Sequence, residues 1–298
     1  MIANPPLAIL EKKRKESSLY PIIEPHLFSQ VVNKMRLFFL EKGFLEVHTQ
    51  NRLSIMAACE DPKTIASYNY HGNVWPLPQT GQMWLEYELL DKPDVPGYFC
   101  VSTSYRNEPD PVDGRHCIIF PMFEFELKGG IDEMIKVEGE LLEYLGFGKA
   151  TDFPGGKYDA VAKAYGVKEL DREEETQIGK DHGPVFFLTH FPEYTSPFWN
   201  MKRNEEDSNI SEKVDVLLHG METIGSAERS CNPQEMKDTF YTIEEGKYAE
   251  RLFDLFGKER VEAELEEFLQ LNFFPRSGGG IGVTRMIRAM QLSGLIEE

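Results

Sequence analysis

Three groups of residues in this 298-residue chain have types and spacings that suit phosphate chemistry. The first is Arg106 and Glu108, two apart at the end of an aromatic and β-branched run, with Arg115 and His116 across a polar turn. An arginine fork binds phosphate oxygens bidentately, a carboxylate accepts from an exocyclic amine, and an aromatic such as Phe120 stacks on a base. Alone, an Arg-x-Glu pair on a strand is more often a surface ion pair of small net worth. The second group is Gly278, Gly279, Gly280, Ile281 and Gly282, followed by Arg285 where a helix begins. Glycines let a backbone approach a ligand, and a helix N-terminus beside an arginine favours phosphate. A glycine turn packed on a neighbouring helix has the same composition. Neither the Gly-Lys-Ser/Thr ending of a Walker A loop nor a Rossmann fingerprint is present. The third group, Asp215 and Glu222, flanks the run Val216 to Met221 and offers oxygen ligands for a magnesium ion that bridges phosphates. In a chain with 50 acidic residues, two solvated carboxylates have the same appearance.

These groups need a scaffold, and the hydropathy pattern supplies one. Residues 1–26 read as an N-terminal arm, with Pro5, Pro6 and Pro21 around a charged run from Glu11 to Glu16. From Leu27 to Leu40 the apolar residues Phe28, Val31, Val32, Met35, Phe38 and Phe39 recur at helical spacing, with Gly43 where a C-cap falls. A strand is expected at Phe44 to Val47. Tyr98 to Tyr105 and Cys117 to Leu127 predict a long hairpin across the turn that holds Pro109, Asp110, Pro111, Asp113 and Gly114. A helix follows from Ile131 to Leu145, and residues 146–183, with Gly155-Gly156 and Glu173 to Glu175, read as a surface insertion. Val185 to Leu188 and Val214 to Leu218 are strand-like, Glu244 to Leu271 is helical, and a last helix closes the chain. The expectation is an α+β domain over residues 27–298, without internal repeats.

With 41% hydrophobic residues the chain can bury a substantial core. Its formal net charge of -18 repels phosphate backbones, which disfavours extended nucleic-acid binding. Cys59, Cys100, Cys117 and Cys231 have neither Cys-x-x-Cys nor Cys/His spacing and read as free thiols in a reducing compartment. No run reaches the roughly 20 apolar residues of a membrane span, so a soluble, cytoplasmic protein is expected.

Together the three groups resemble the class II aminoacyl-tRNA synthetases, in particular the asparaginyl and aspartyl branch and its tRNA-independent relative, the archaeal asparagine synthetase. The resemblance runs from about Phe28 to Leu295. Phe28 to Thr49 is similar to the first family motif, a dimer-forming helix and strand, with Gln50 in place of the usual terminal proline. Ser104 to Glu108, Arg115-His116, Phe120 and Glu126 resemble the second motif. That likeness implies that Arg106 grips the α-phosphate, Glu108 reads the adenine edge, Phe120 stacks on adenine, and Arg115 or His116 holds the outer phosphates. The glycine run, including Gly280 and Gly282, resembles the third motif, with Arg285 on the γ-phosphate and one face of the adenine. Asp215 and Glu222 match the family's metal-binding pair.

Gln79 to Glu86 resembles the Ser-Gly-Gln-x-x-x-Glu segment of asparaginyl enzymes, with Thr80, Gln82 and Glu86 at matching positions and Leu85 where aspartyl enzymes carry a lysine. By the same likeness Glu124 holds the substrate ammonium and Arg229 its side chain, while Pro184 to Phe187 and Ser196 to Trp199 line the site. An arginine beside a carboxylate suits a side-chain amide. The resemblance implies ATP and Mg2+ as cofactors, a homodimer, and formation of an acyl-adenylate from an aspartate- or asparagine-like amino acid. Amide formation of the aspartate-ammonia ligase type, as in asparagine biosynthesis, is the first reading. The alternatives are an asparaginyl-type paralogue that transfers its adenylate to a tRNA, protein or small-molecule acceptor, and a non-catalytic regulator. An anticodon-binding domain is expected to be missing, which together with the charge disfavours tRNA.

Overall fold

Phe39 explains much of the architecture, because an apolar ring in the last turn of an amphipathic helix demands a flat apolar partner. The computed structural model describes residues 23–50, 52–55, 62–111, 117–195 and 197–297. Helix α1 (Pro25–Glu41) starts at Pro25, with the Glu24 carboxylate accepting from Leu27 N at 2.7 Å. It buries Val31, Val32, Met35, Phe38 and Phe39. Phe39 stacks on Phe123 at 5.4 Å between centroids and lies 5.7 Å from Phe99. Those two rings belong to β4 (Gly97–Tyr105) and β5 (Ile119–Lys128), the hairpin expected from the sequence, paired antiparallel from Gly97–Leu127 to Tyr105–Ile119.

The hairpin sits in an eight-stranded sheet of order β1-β4-β5-β10-β9-β8-β7-β6. Its remaining strands are β1 (Leu45–Glu46), β6 (Gly155–Lys157), β7 (Val185–Pro192), β8 (Ile210–Leu218), β9 (Glu222–Glu228) and β10 (Arg276–Gly282); β2 (Ser67–Tyr70) and β3 (Asn73–Pro76) form a separate ribbon. Only the outermost pairs, β1 with β4 and β6 with β7, are parallel. Helices α1 and α3 (Ile131–Leu145) pack on one face, and their buried residues join Phe99, Phe125, Val214, Val216 and Ile281 in the largest apolar cluster. The other face carries α2 (Gln82–Asp91) and opens into a cleft. A second cluster around Trp199 and Phe240 binds α6 (Pro233–Thr242), α7 (Lys247–Phe256) and α8 (Lys258–Leu269) alongside it. The chain is thus α+β, as the pattern predicts.

The structure corrects the sequence reading in four places. Residues 146–183 are no appendage: they supply the edge strand β6, and helices α4 (Tyr158–Tyr165) and α5 (Arg172–His182) bury Tyr158, Val161 and Ile178 against β7. The helical stretch from Glu244 to Leu271 is broken at Gly257, whose φ of +87° is costly for any residue with a Cβ. The glycine run is a central strand rather than a turn, followed by α9 (Val283–Leu292). Arg106 and Glu108 stand in the coil after β4, not on the strand itself. The expected arm up to residue 22, together with Arg115, His116 and Ser196, lies outside the described residues.

Candidate active site

A cleft of about 500 Å³ runs along the open face over β5, β10 and β9. Beta-strand alternation sets its floor, since Phe120 and Met122, which line it, share one face of β5 with the fully buried Glu124 and Glu126. Next to them β10 contributes only backbone over Gly278 to Gly280. A Cβ on Gly280 would come within 2.6 Å of Met122 Cε, and one on Gly278 would collide with Glu126 and the Phe125 carbonyl. Glycine is required here for close approach, not for an unusual φ.

At one end the cleft is lined by Arg106, Glu108, Phe120, Glu222, Gly282 and Arg285. The Arg106 guanidinium lies 5.7 Å from the Phe120 ring centroid, and its Nε is buried without a hydrogen-bond partner. Backbone bonds fix this coil, from Arg106 N to Ile118 O and from Asn107 N to Thr64 O, each 2.8 Å. Arg285, in the first turn of α9, donates through Nη1 to the Glu222 carbonyl at 2.7 Å, with the Glu222 carboxylate 3.9 Å away. Thus two guanidinium groups and a flat ring, drawn from the β4–β5 hairpin and from the distant start of α9, face one space.

Asp215 and Glu222 converge across Gly225. A Cβ there would lie 2.9 Å from Glu222 Oε1 and 3.6 Å from Asp215 Oδ1. That Asp215 oxygen is buried and has no hydrogen-bond partner, while Oδ2 accepts from Lys213 Nζ at 2.7 Å. Burial, against the pull of Lys213 and with the push of Glu222, raises the Asp215 carboxyl to about 7. An orphaned carboxylate oxygen facing a second carboxylate over a glycine suits a hard, oxygen-seeking cation, so these residues fit magnesium. No group of three or more His, Cys, Asp or Glu gathers around one point among the described residues, which leaves most coordination positions to substrate oxygens and water.

The other end is closed by a buried ionic network. Arg229 lines the cleft and donates to Glu126 from Nε at 3.4 Å and from Nη2 at 3.3 Å, and to the Gly278 carbonyl at 3.2 Å. Its Nε is also 3.6 Å from Glu86. Glu86 in turn accepts from Arg276 Nη2 at 2.8 Å and Nε at 3.2 Å, and from Asn200 Nδ2 at 2.8 Å. Gln82 donates to Glu126 and leaves its own Oε1 buried and unpartnered. Glu86, Glu126 and Arg276 are 0% exposed and Arg229 only 2%. Two carboxylates and two guanidinium groups cancel, as burial requires.

Two expected residues sit differently from the sequence reading. Glu124 does not line the cleft. It is fully buried, and its carboxylate accepts from the Thr80 hydroxyl, the Ser102 hydroxyl and, at 2.8 Å, Gly81 N. Burial pushes its carboxyl above the usual range, while Ser102, Thr80 and Gly81 pull it down. Glu124 therefore anchors the turn that starts α2, and Thr80 is held there too. Leu85 points into an apolar cluster with Leu89, Tyr98 and Cys100. The sequence reading missed Lys213, Asn200 and Arg276. For Lys213 the signal was present, because two residues before Asp215 on a strand means the same face.

The family model described as tRNA synthetases class II (D, K and N) matches residues 24–298. The aspartate–tRNA(Asp) ligase of Thermoplasma volcanium is 23% identical, with 92% of this chain and 65% of that protein aligned. A lysine–tRNA ligase of Campylobacter jejuni is 23% identical, over 87% of this chain and 59% of its own length. Among solved structures, asparaginyl-tRNA synthetase from Pyrococcus horikoshii complexed with asparaginyl-adenylate superposes with a TM-score of 0.73 at 20% identity, covering 90% of this chain and 65% of that one. The fold is shared with these relatives, of whose length the chain spans less than two thirds.

Proposed function

The chain belongs to the class II tRNA synthetases of the D, K and N group, and on that premise we propose that it activates a small amino acid with ATP, forming an acyl-adenylate and pyrophosphate. The observation that carries this reading is the meeting of Arg106, Phe120, Glu222 and Arg285 at one end of a cleft whose other end is closed by Arg229. Adenine stacks on Phe120, with Glu108 accepting from its amino group. Arg106 binds the α-phosphate and Arg285 the γ-phosphate. A carboxylate oxygen of the amino acid attacks the α-phosphorus, and the bond to the oxygen bridging toward the β-phosphate breaks. Positioning and fixed positive charge carry such a transfer without a side-chain nucleophile. Asp215 and Glu222 would hold Mg2+, which supplies charge neutralisation at the phosphate oxygens when bound.

The ionic network selects the side chain. With Glu126 and Glu86 both ionised the two guanidinium groups are already matched, so a substrate carboxylate buried there would leave one negative charge uncompensated or drive a proton onto Glu126, whose carboxyl burial raises to about 7 against the pull of Arg229. A side-chain amide adds no charge, and its N–H groups suit the unpartnered Gln82 Oε1. This favours an asparagine-like substrate, with a tRNA, protein or small-molecule acceptor for the adenylate. Amide formation from aspartate stands as a second reading because of one observation: the network offers both signs of charge, which complements the zwitterionic head of an aspartate whose side-chain carboxylate is activated instead. Amino-acid-dependent ATP–pyrophosphate exchange separates these. Exchange with asparagine but not aspartate is expected. Exchange with aspartate, and asparagine appearing once ammonia is added, would establish the amide ligase, and no exchange with any amino acid would leave a regulatory paralogue.

We also infer a homodimer through the outer side of α1 and α3, where Leu37, Leu40 and Tyr144 are 51%, 46% and 43% exposed. Light scattering at micromolar concentration should give twice the 34.2 kDa chain mass, and a monomer would remove this inference. No helix of the described residues is long and apolar enough to cross a membrane.

A further inference from the structure

Lys213 lies two residues before Asp215 on β8, so the strand's pleat points both side chains at the cleft. Its ammonium is 2.7 Å from Asp215 Oδ2 and 3.9 Å from the centroid of the Phe191 ring, which fixes it from the neighbouring β7. Asp215 is 7% exposed, and its second oxygen has no hydrogen-bond partner. Across Gly225, Glu222 has Arg285 within 3.9 Å. Each carboxylate of the pair therefore already has a cation beside it. A divalent ion that used both would meet two resident positive charges, and the nearer of them, Lys213, would need another anion to move to. Lys213 lines the same cleft as Arg285, where the phosphates of a nucleotide would supply that anion.

We propose that Lys213 is an exchangeable cation of the nucleotide site, neutralising Asp215 when no nucleotide is bound and transferring to phosphate oxygens when a divalent metal takes the carboxylates. The inference rests on the metal-binding reading of Asp215 and Glu222. Its consequence is thermodynamic: metal and nucleoside triphosphate bind cooperatively, and each tightens the other by the same factor. An ammonium on a flexible stem suits this exchange, since it is a point charge with three rotatable donors rather than a rigid fork.

The test uses Mn2+ as the probe, with free ion read by electron paramagnetic resonance, on the full chain with and without a non-hydrolysable ATP analogue. The wild type should bind Mn2+ at least about tenfold more tightly when the analogue is present. Lys213→Met should bind Mn2+ alone about tenfold more tightly than the wild type, so that the coupling shrinks to the part that shared phosphate ligands supply, while its affinity for the analogue falls. Lys213→Gln, which keeps a neutral donor, should behave the same way, and Lys213→Arg should retain the coupling. Asp215→Asn should bind Mn2+ weakly in both conditions. If Asp215→Asn loses the metal while both neutral Lys213 variants keep the wild-type affinity and coupling, the exchange is overturned and the metal reading stands. If Asp215→Asn binds Mn2+ like the wild type, the metal reading itself fails and takes the exchange with it.

Discussion

Replacement of Arg285 by alanine lowers the rate of ATP–pyrophosphate exchange by about 100-fold or more while leaving the fold intact. The reason lies in where the side chain stands. It leaves the first turn of α9, touches Glu222 through one Nη1 hydrogen bond at 2.7 Å, and is 46% exposed, so its remaining donors are free for phosphate oxygens. Because little of it is buried, its loss opens no cavity, and the melting temperature should shift by less than about 2 °C. Charge that grows on the leaving pyrophosphate would lose its fixed counter-charge, and the loss should fall mainly on the turnover rate rather than on the KM for the amino acid. Arg285→Lys should recover only part of the activity, because an ammonium restores charge without the bidentate fork. An alanine variant with wild-type exchange would remove Arg285 from the mechanism.

The second large effect is on stability. Arg276→Met destabilises the protein by about 3–5 kcal/mol, the cost of leaving a buried charge without its partner. Arg276 is 0% exposed, gives two donors to Glu86, and spends Nη1 on the Ser230 carbonyl at 3.1 Å. Removing it leaves Glu86 with Asn200 and the more distant Arg229. At roughly 2–4 °C per kcal/mol, thermal melting should drop by about 6–20 °C. The double variant Glu86→Leu with Arg276→Met removes one charge of each sign and should regain much of that loss. A single variant that melts like the wild type would mean that water reaches Glu86 and that the network is not sealed.

The hairpin, the first helix and the strand that carries Asp215 were legible from local pattern: aromatic and β-branched runs mark β4, β5 and β8, and the helical spacing of Val31, Val32, Met35, Phe38 and Phe39 marks α1. The glycine run could not be read as a strand, since a segment without side chains has no hydropathy pattern, and only the register with Glu124 and Glu126 assigns it. Glu124 was misplaced for a related reason. Strand alternation puts it on the cleft face, but the turn from Thr80 to Gln82 that covers it comes from more than forty residues upstream. Arg276 had an indirect signal. Gln82, Glu86 and Leu89 lie along one side of α2, and the same side carries buried Leu85 and Leu90, so Glu86 stands in an apolar stripe. A carboxylate there needs a buried cation, and with Glu126 also buried, Arg229 alone could not balance both. Which residue supplied the second charge was not readable from spacing.

The sheet is also joined in an order that bears on how the protein is made. Among the described residues, β10 is the last strand in sequence, yet it lies between β5 and β9 and joins the two halves of the sheet. During synthesis, one half can form its hairpin and the other its meander while both present an unpaired edge toward the missing strand. Because β10 is glycine-rich, it brings few side chains to drive its own docking and must be captured by backbone hydrogen bonds from both sides. Its partners on β5 lie about 150 residues away, so the closing step carries a large loop entropy and should be slow. Closure of the sheet and completion of the cleft therefore coincide in a single folding event, and the open edges are most exposed to misassociation just before it.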